Sequence, residues 1–178
     1  KNKTKLIDIL FDMKKFEKKI GFNISNKQKF IEFSPLTMDY LRIIAKKIKK
    51  KSGGILIIDY GYIDKQLKNT LHSISNHKFI NVLDHFGNSD ITYNINFNLV
   101  KKIANEFGLK SSKITSQKKF LLKLGILQRA EILSKNLPFS KKADIYFRIE
   151  RLIDEKSMGE LFKVMFITQK NSNFKIGF

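Results

Sequence analysis

Hydrophobic residues along the chain gather into short runs and four-residue repeats, broken by glycine, proline and asparagine. The most apolar run is Ile55-Leu56-Ile57-Ile58, set between Gly53-Gly54 and the cluster Asp59-Tyr60-Gly61-Tyr62. Four aliphatic residues without a polar face predict a strand buried on both sides, as in a parallel sheet covered by helices. Upstream, Ser34 and Pro35 predict a helix start, the hydroxyl capping and the proline taking the first helical position. Leu36, Tyr40, Ile44 and Ile48 repeat every fourth residue along that helix, and its last turns carry Lys46, Lys47 and Lys49 to Lys51. Cations suit a helix C-terminus, so these lysines fit a solvated helix end better than a phosphate-binding patch. Gly53 or Gly54 ends the helix. Helix, glycine pair and buried strand in that order make one αβ unit of a doubly wound sheet.

The remaining pattern is shorter in range. Leu6 to Phe11 predicts a strand, and Met13, Phe16 and Ile20 a short amphipathic helix ending near Gly21. Phe30 to Phe33 predicts another short strand. Residues 63–89 are polar and lack clean periodicity. Asp90 to Phe97 alternates polar and apolar as a strand does. Asn96 can then cap a helix with Leu99, Val100, Ile103 and Phe107 inward, closed by Gly108. Leu109 to Thr115 alternates again, and Ser116 caps a helix carrying Phe120, Leu121 and Leu124. Leu127, Ile132 and Leu133 belong to a further helix that Pro138 breaks, and Ser140 begins one with Ile145, Ile149, Leu152 and Ile153. Leu161 to Ile167 reads as a closing strand. No internal repeat or low-complexity linker interrupts the series.

Composition narrows the class. At 178 residues, with 42% hydrophobic and 29% charged, the chain is a globular domain able to bury roughly 70% of its unfolded surface. It opens on Lys1, as a piece of a longer protein would. No apolar run approaches the length of a membrane span and no signal-peptide pattern is present, so neither is expected. Without cysteine there are no disulfides or thiolate metal ligands, and a cytoplasmic setting is the expectation. The net charge of +19 comes from lysines spread along the whole sequence, with arginine only at 42, 129, 148 and 151. Specific base reading leans on arginine. The expectation is therefore weak, salt-sensitive contact with polyanions and no specific nucleic-acid partner.

Several chemistries lack their residues. His72, His77 and His85 have neither helical-pair nor zinc-finger spacing, so no metal site is expected. There is no Gly-x-Ser-x-Gly elbow, no Walker A loop and no Gly-x-Gly-x-x-Gly; the Gly53-Gly54 pair comes before a strand, whereas the dinucleotide motif follows one. What remains is the acid and the aromatics after Ile58. Ligands in open α/β sheets bind outside the carboxyl ends of strands, which makes Asp59, Tyr60, Gly61 and Tyr62 candidates. The same residues also fit a turn-forming acid with tyrosines packed at the rim.

One series of motifs resembles a known family. It runs Ile31-Glu32-Phe33-Ser34-Pro35, Gly53-Gly54 through Ile58-Asp59-Tyr60-Gly61-Tyr62, Thr70-Leu71, and Asn76-His77-Lys78. It continues with Gly87-Asn88-Ser89-Asp90-Ile91-Thr92, Asn96-Phe97, Gln117, Phe120-Leu121, Leu124-Gly125-Ile126 and Arg129. Met158-Gly159 and Phe162-Lys163-Val164 close it. This order, from about residue 30 to 168, resembles the C-terminal half of the MidA-like methyltransferases, the family of a mitochondrial complex I assembly factor. The resemblance implies an α/β chain that is the C-terminal part of a Rossmann-like class I methyltransferase fold with a family-specific insertion. It implies strand 54–59 at the centre and 161–167 beside it, antiparallel. The family's Gly-rich cofactor loop and Asn-Glu-Phe-Phe-Asp motif are not in the sequence, so residues 1–178 are expected to form a single incomplete domain lacking its cofactor-binding half. His72 stands where the family usually has Gln, and Asn94 and Asn96 where it tends to have His and Asp; as a cap Asn96 serves as well as Asp.

From the resemblance follow S-adenosyl-L-methionine as cofactor and methyl transfer to protein, to arginine in the mitochondrial member. A complex I subunit would be the partner, and the setting mitochondrial in a eukaryote. Asp59 and Tyr60 are then the catalytic candidates, with Gly61, Tyr62, Asp90 and Thr92 on the substrate side. Carboxylates orient a cationic nucleophile through charge-assisted bonds, and tyrosine rings stack on it. Asp90-Ile91-Thr92 equally fits a capping turn that only shapes the insertion. The missing half or a partner chain would complete the enzyme, and the 178 residues alone would be inactive. The other reading is a non-catalytic basic module that holds RNA or an acidic protein.

Overall fold

In the computed structural model, residues 5, 7–21, 23–24, 30–63, 69–84 and 87–178 are described. In chain order the elements are α1 (Met13–Ile20), α2 (Pro35–Lys51), β1 (Gly54–Tyr62), β2 (His72–Ser75), β3 (Lys78–Ile80), β4 (Asp90–Thr92) and β5 (Ile95–Asn96). After these come α3 (Phe97–Glu106), β6 (Leu109–Ser111), β7 (Thr115–Ser116), α4 (Gln117–Lys123), α5 (Ile126–Ser134), α6 (Phe139–Ile153), α7 (Met158–Leu161) and β8 (Phe162–Gln169). The main sheet has the order β5-β1-β8-β6, with β7 also on β8; β3-β2-β4 form a second, small sheet. β8 runs antiparallel to β1, from Gly54 opposite Thr168 to Tyr60 opposite Phe162. β5 joins β1 in parallel only at Gly61 and Tyr62. Among the described residues, the β1 edge from Gly54 to Tyr60 has no strand beside it.

Local chemistry starts the helices. The Ser34 hydroxyl accepts from the Thr37 amide with Pro35 in first position, Asn96 Oδ1 accepts from the Leu99 amide at 3.0 Å, and Ser116 accepts from Lys119. Each satisfies an orphan donor of the first turn, worth about 1 kcal/mol. α1 ends on Gly21 at φ 84, the left-handed residue that closes many helices.

The core lies on one side of the main sheet. Met38, Leu41, Ala45 and Ile48 of α2 and Leu99, Val100, Ile103 and Ala104 of α3 pack with Ile55 and Ile57 of β1 and Met165 and Ile167 of β8. On the other side α4 lies against β8, and Phe166 is ringed by Phe174 and Phe178. The neighbouring β1 positions Leu56, Ile58 and Tyr60 are 47%, 41% and 41% exposed. The expectation of a strand buried on both faces is thus corrected: β1 is covered on one face only.

Other sequence expectations shift too. Residues 7–10 and 30–33 are not strands; Phe11 and Phe33 instead join Phe16 in an aromatic group that ties α1 to the start of α2. On α2, Leu36 and Tyr40 face solvent, and the buried stripe is Met38, Leu41, Ala45 and Ile48. The stretch 63–89 contains the β2–β3 hairpin, turned by Asn76 and His77 at φ 50 and 60. Asp90–Phe97 is two short strands split at Tyr93-Asn94, and 109–115 likewise divides into β6 and β7. Leu161 ends α7, so the closing strand begins at Phe162.

Candidate functional site at the end of strand β1

The carboxyl end of β1 gathers the polar side chains of the packed side. Asp59 follows Ile57 on the core-facing alternation, while Tyr60 points to the opposite face. There Tyr60 packs against Phe162, the rings tilted and their centroids 4.1 Å apart. Asp59 Oδ1 accepts from the Tyr60 amide at 2.8 Å, which fixes the carboxylate by local geometry. Gly61 is a packing residue: a Cβ there would lie 2.6 Å from the Phe97 ring and closer still to the Ile95 carbonyl oxygen. Only glycine lets β5 approach β1 at that point.

Glu32 is the centre of the arrangement. Its Oε1 accepts from the amides of Thr70 at 2.8 Å and Leu71 at 3.1 Å, and its Oε2 from the Thr70 hydroxyl. Thr70 Oγ1 in turn accepts from the Asn94 amide. His72 extends the network. Its Nδ1 lies 2.6 Å from the Thr70 carbonyl, which can only accept, so Nδ1 donates. In the neutral ring, Nε2 then accepts from the Thr92 hydroxyl at 2.8 Å. Three segments far apart in sequence are thereby held together beside β1.

Two tyrosines border this carboxylate. The Tyr62 hydroxyl is buried beside the Asn96 side chain, with no hydrogen bond of good geometry among the described residues. Burial raises its pKa above the ordinary tyrosine value, and Glu32 raises it further, while Asn96 acts in the opposite direction. Tyr93 is raised by burial first, then by Glu32 and Asp59. Both phenols are thus held in their neutral form.

Of the residues singled out in the sequence, Asp59 and Tyr62 belong to this cluster and Thr92 reaches it through His72. Tyr60 lies on the uncovered face. Asp90 pairs with Ile74 in the small sheet and is exposed; no hydrogen bond or ion pair among the described residues links it to Asp59. Glu32, Thr70 and Tyr93 were not singled out as site residues, although Ile31-Glu32-Phe33 and Thr70-Leu71 are among the motifs of the resemblance. Their hydrogen bonds are the structural content of that spacing. His72 and His77 are not near-neighbour ligands, His85 lies outside the described residues, and no group of three metal-ligating side chains occurs among those described. No described helix is long and apolar enough to cross a membrane.

Residues 4–115 match the family model described as "Putative S-adenosyl-L-methionine-dependent methyltransferase". The chain is 30% identical over 120 residues to the mitochondrial protein arginine methyltransferase NDUFAF7 of Danio rerio, covering 67% of this chain and 28% of that protein. With the Drosophila melanogaster homologue it shares 28% identity over 137 residues, 76% of this chain and 31% of that one. Among solved structures, an uncharacterized Burkholderia thailandensis protein superposes with a TM-score of 0.73 at 22% identity, over 97% of this chain and 47% of that one. A second protein from the same organism, solved bound to S-adenosyl-homocysteine, gives 0.67 at 25% identity, over 79% and 38%. The chain spans about three tenths of the curated relatives it matches. The order β1-β8-β6 with β8 antiparallel is consistent with a class I methyltransferase fold. The cofactor of the family is S-adenosyl-L-methionine; the space beside Gly61, the glycine at the end of β1, is taken by Phe97 and Ile95 and offers it no cradle. By its match over residues 4–115, the chain belongs to the S-adenosyl-L-methionine-dependent methyltransferase family.

Proposed function

We propose that the 178 residues are the C-terminal part of a methyltransferase domain that modifies protein, with arginine as the acceptor, and that the cofactor cradle is supplied by residues outside them. The observation that carries this is the state of β1. Among the described residues its edge from Gly54 to Tyr60 is open, Leu56, Ile58 and Tyr60 are exposed, and the acid Asp59 sits at its carboxyl end. An open edge beside an apolar face is a place where further strands and a covering helix add. Asp59 is the catalytic candidate on the packed side and would orient the cationic acceptor. Tyr60, on the bare face, would meet the added half. Tyr62 and Thr92 border the acceptor, Gly61 holds β5 in register beside them, and Asp90 shapes the insertion sheet from a distance. A complex I subunit as the acceptor protein is what the family resemblance implies, and mitochondria as the setting in a eukaryote follow the curated relatives named above.

The test uses the protein extended to the length of its relatives. Asp59→Asn is expected to lower methyl transfer to an arginine-bearing protein by about 10²- to 10⁴-fold, the range for a positioned acid–base group, with cofactor affinity unchanged. Transfer at the wild-type rate in that variant would overturn the assignment.

A further inference from the structure

Below the Glu32–Tyr93 pair lies a cavity of about 110 Å³ that the reading above does not use. Its polar lining is Glu32, Ser34, Thr37, Tyr93 and Asn96, and its apolar walls include Met38, Leu41 and Leu99. At about 30 Å³ per water it has room for three or four. That is far below the roughly 300 Å³ at which sites for drug-sized ligands begin. It can take one slim side chain; it cannot take a nucleoside.

Its chemistry is that of a cation receptor. Glu32 makes no ion pair among the described residues, in a chain with 35 Lys and Arg against 16 Asp and Glu. Its Oε2 accepts only from Thr70 and keeps a free lone pair. Glu32 is half-buried, and the three donors it has from Thr70 and Leu71 hold its carboxylate in place without supplying a countercharge. Tyr93 lines the cavity with Glu32, and an aromatic ring attracts a cation. Most of the remaining lining is apolar, Met38, Leu41, Ile57, Leu99 and Ile103 included, and would cover the methylenes of a long side chain.

We propose that this cavity receives a cationic side chain, an alkyl stem ending in a guanidinium or ammonium, with Glu32 as its charge partner. The proposal rests on the protein-substrate reading, since such a side chain belongs to the acceptor. Binding is read on the 178-residue chain without cofactor, by calorimetry and amide NMR. The probes are the N-acetyl amides of arginine, lysine and norleucine. Norleucine offers the stem without the charge, and arginine against lysine distinguishes the two heads. Arginine or lysine amide is expected to bind at least about tenfold more tightly than norleucine amide, shifting the resonances of Leu99 and Tyr93. Glu32→Gln keeps an acceptor for the Thr70 and Leu71 amides and should abolish that preference. Should that variant not fold, Thr37→Leu narrows the cavity from its exposed rim, leaves the carboxylate intact, and should weaken all three probes.

Equal binding of the three amides would overturn the proposal, as would no response at Leu99, or a preference that survives in Glu32→Gln. So would unchanged binding in Thr37→Leu. Failure here with Asp59-dependent transfer intact would leave the methyltransferase reading standing. Cation binding in a protein that transfers no methyl group would do the reverse.

Discussion

On one face of β1, Ile55 and Ile57 sink into the cluster built by α2, α3 and the Met165 and Ile167 positions of β8. On the other, Leu56, Ile58 and Tyr60 are nearly half exposed. The side chains are equally apolar on both faces, so the difference lies in what covers them. The neighbouring strand makes the contrast sharper. Across the register from Ile58, Val164 is fully buried, because α4 packs against β8 and β7 pairs with it at Val164. The hydrophobicity of a strand records what it is built to touch in its whole domain. In the proposal above, the bare face and the open edge are one surface, completed by the cofactor-binding half.

The largest test of that contrast is on the packed face. Phe97 is fully buried, and its ring fills the space beside Gly61; Phe97→Ala should cost about 3–5 kcal/mol in urea unfolding. Gly61→Ala comes next. A Cβ there meets the Ile95 carbonyl and the Phe97 ring, so a loss of about 1–3 kcal/mol is expected, with the β1–β5 amide bonds exchanging faster. On the bare face, Leu56→Ser should change the stability of the chain by no more than about 0.5 kcal/mol. The same substitution in the longer protein should be strongly destabilising. A large effect of Leu56→Ser on the 178 residues themselves would show that the face is not bare.

The smallest effect is a pH dependence. Tyr62 and Tyr93 have folded pKa values above the ordinary 10.0. A raised pKa favours the protonated form in the native state, so that stability is fully present below pH 10 and is lost as pH rises through the folded values, where the unfolded chain has already released its protons. Unfolding midpoints between pH 9 and 12 should therefore fall less steeply in a Tyr62→Phe, Tyr93→Phe variant than in the wild type. Parallel curves would contradict the assigned surroundings of these two phenols.

Much of the fold could be read from local chemistry. Ser34, Asn96 and Ser116 announce their helices because a cap needs only the residues that follow it. The α2 stripe misled for a geometric reason. Steps of four residues advance about 40° beyond a full turn, so Leu36, Tyr40, Ile44 and Ile48 wind around the helix, and only the later members reach the core. The β2–β3 hairpin was hidden because Asn76 and His77, with no glycine, take the left-handed turn positions. The candidate site was legible at Asp59 and Tyr62, where strand end and aromatic residues coincide. Glu32 was not, because its partners Thr70 and Leu71 lie 38 and 39 residues away, and no periodicity reports such a contact.

The central claim is that these residues hold the acceptor side of the domain and depend on another part for the cofactor. Calorimetry with S-adenosyl-L-methionine tests it directly, on the 178-residue chain and on the protein extended to the length of its relatives. The account predicts no measurable heat of binding for the former and a one-to-one site in the latter. Comparable affinity in both would place the cofactor site within these 178 residues and contradict it.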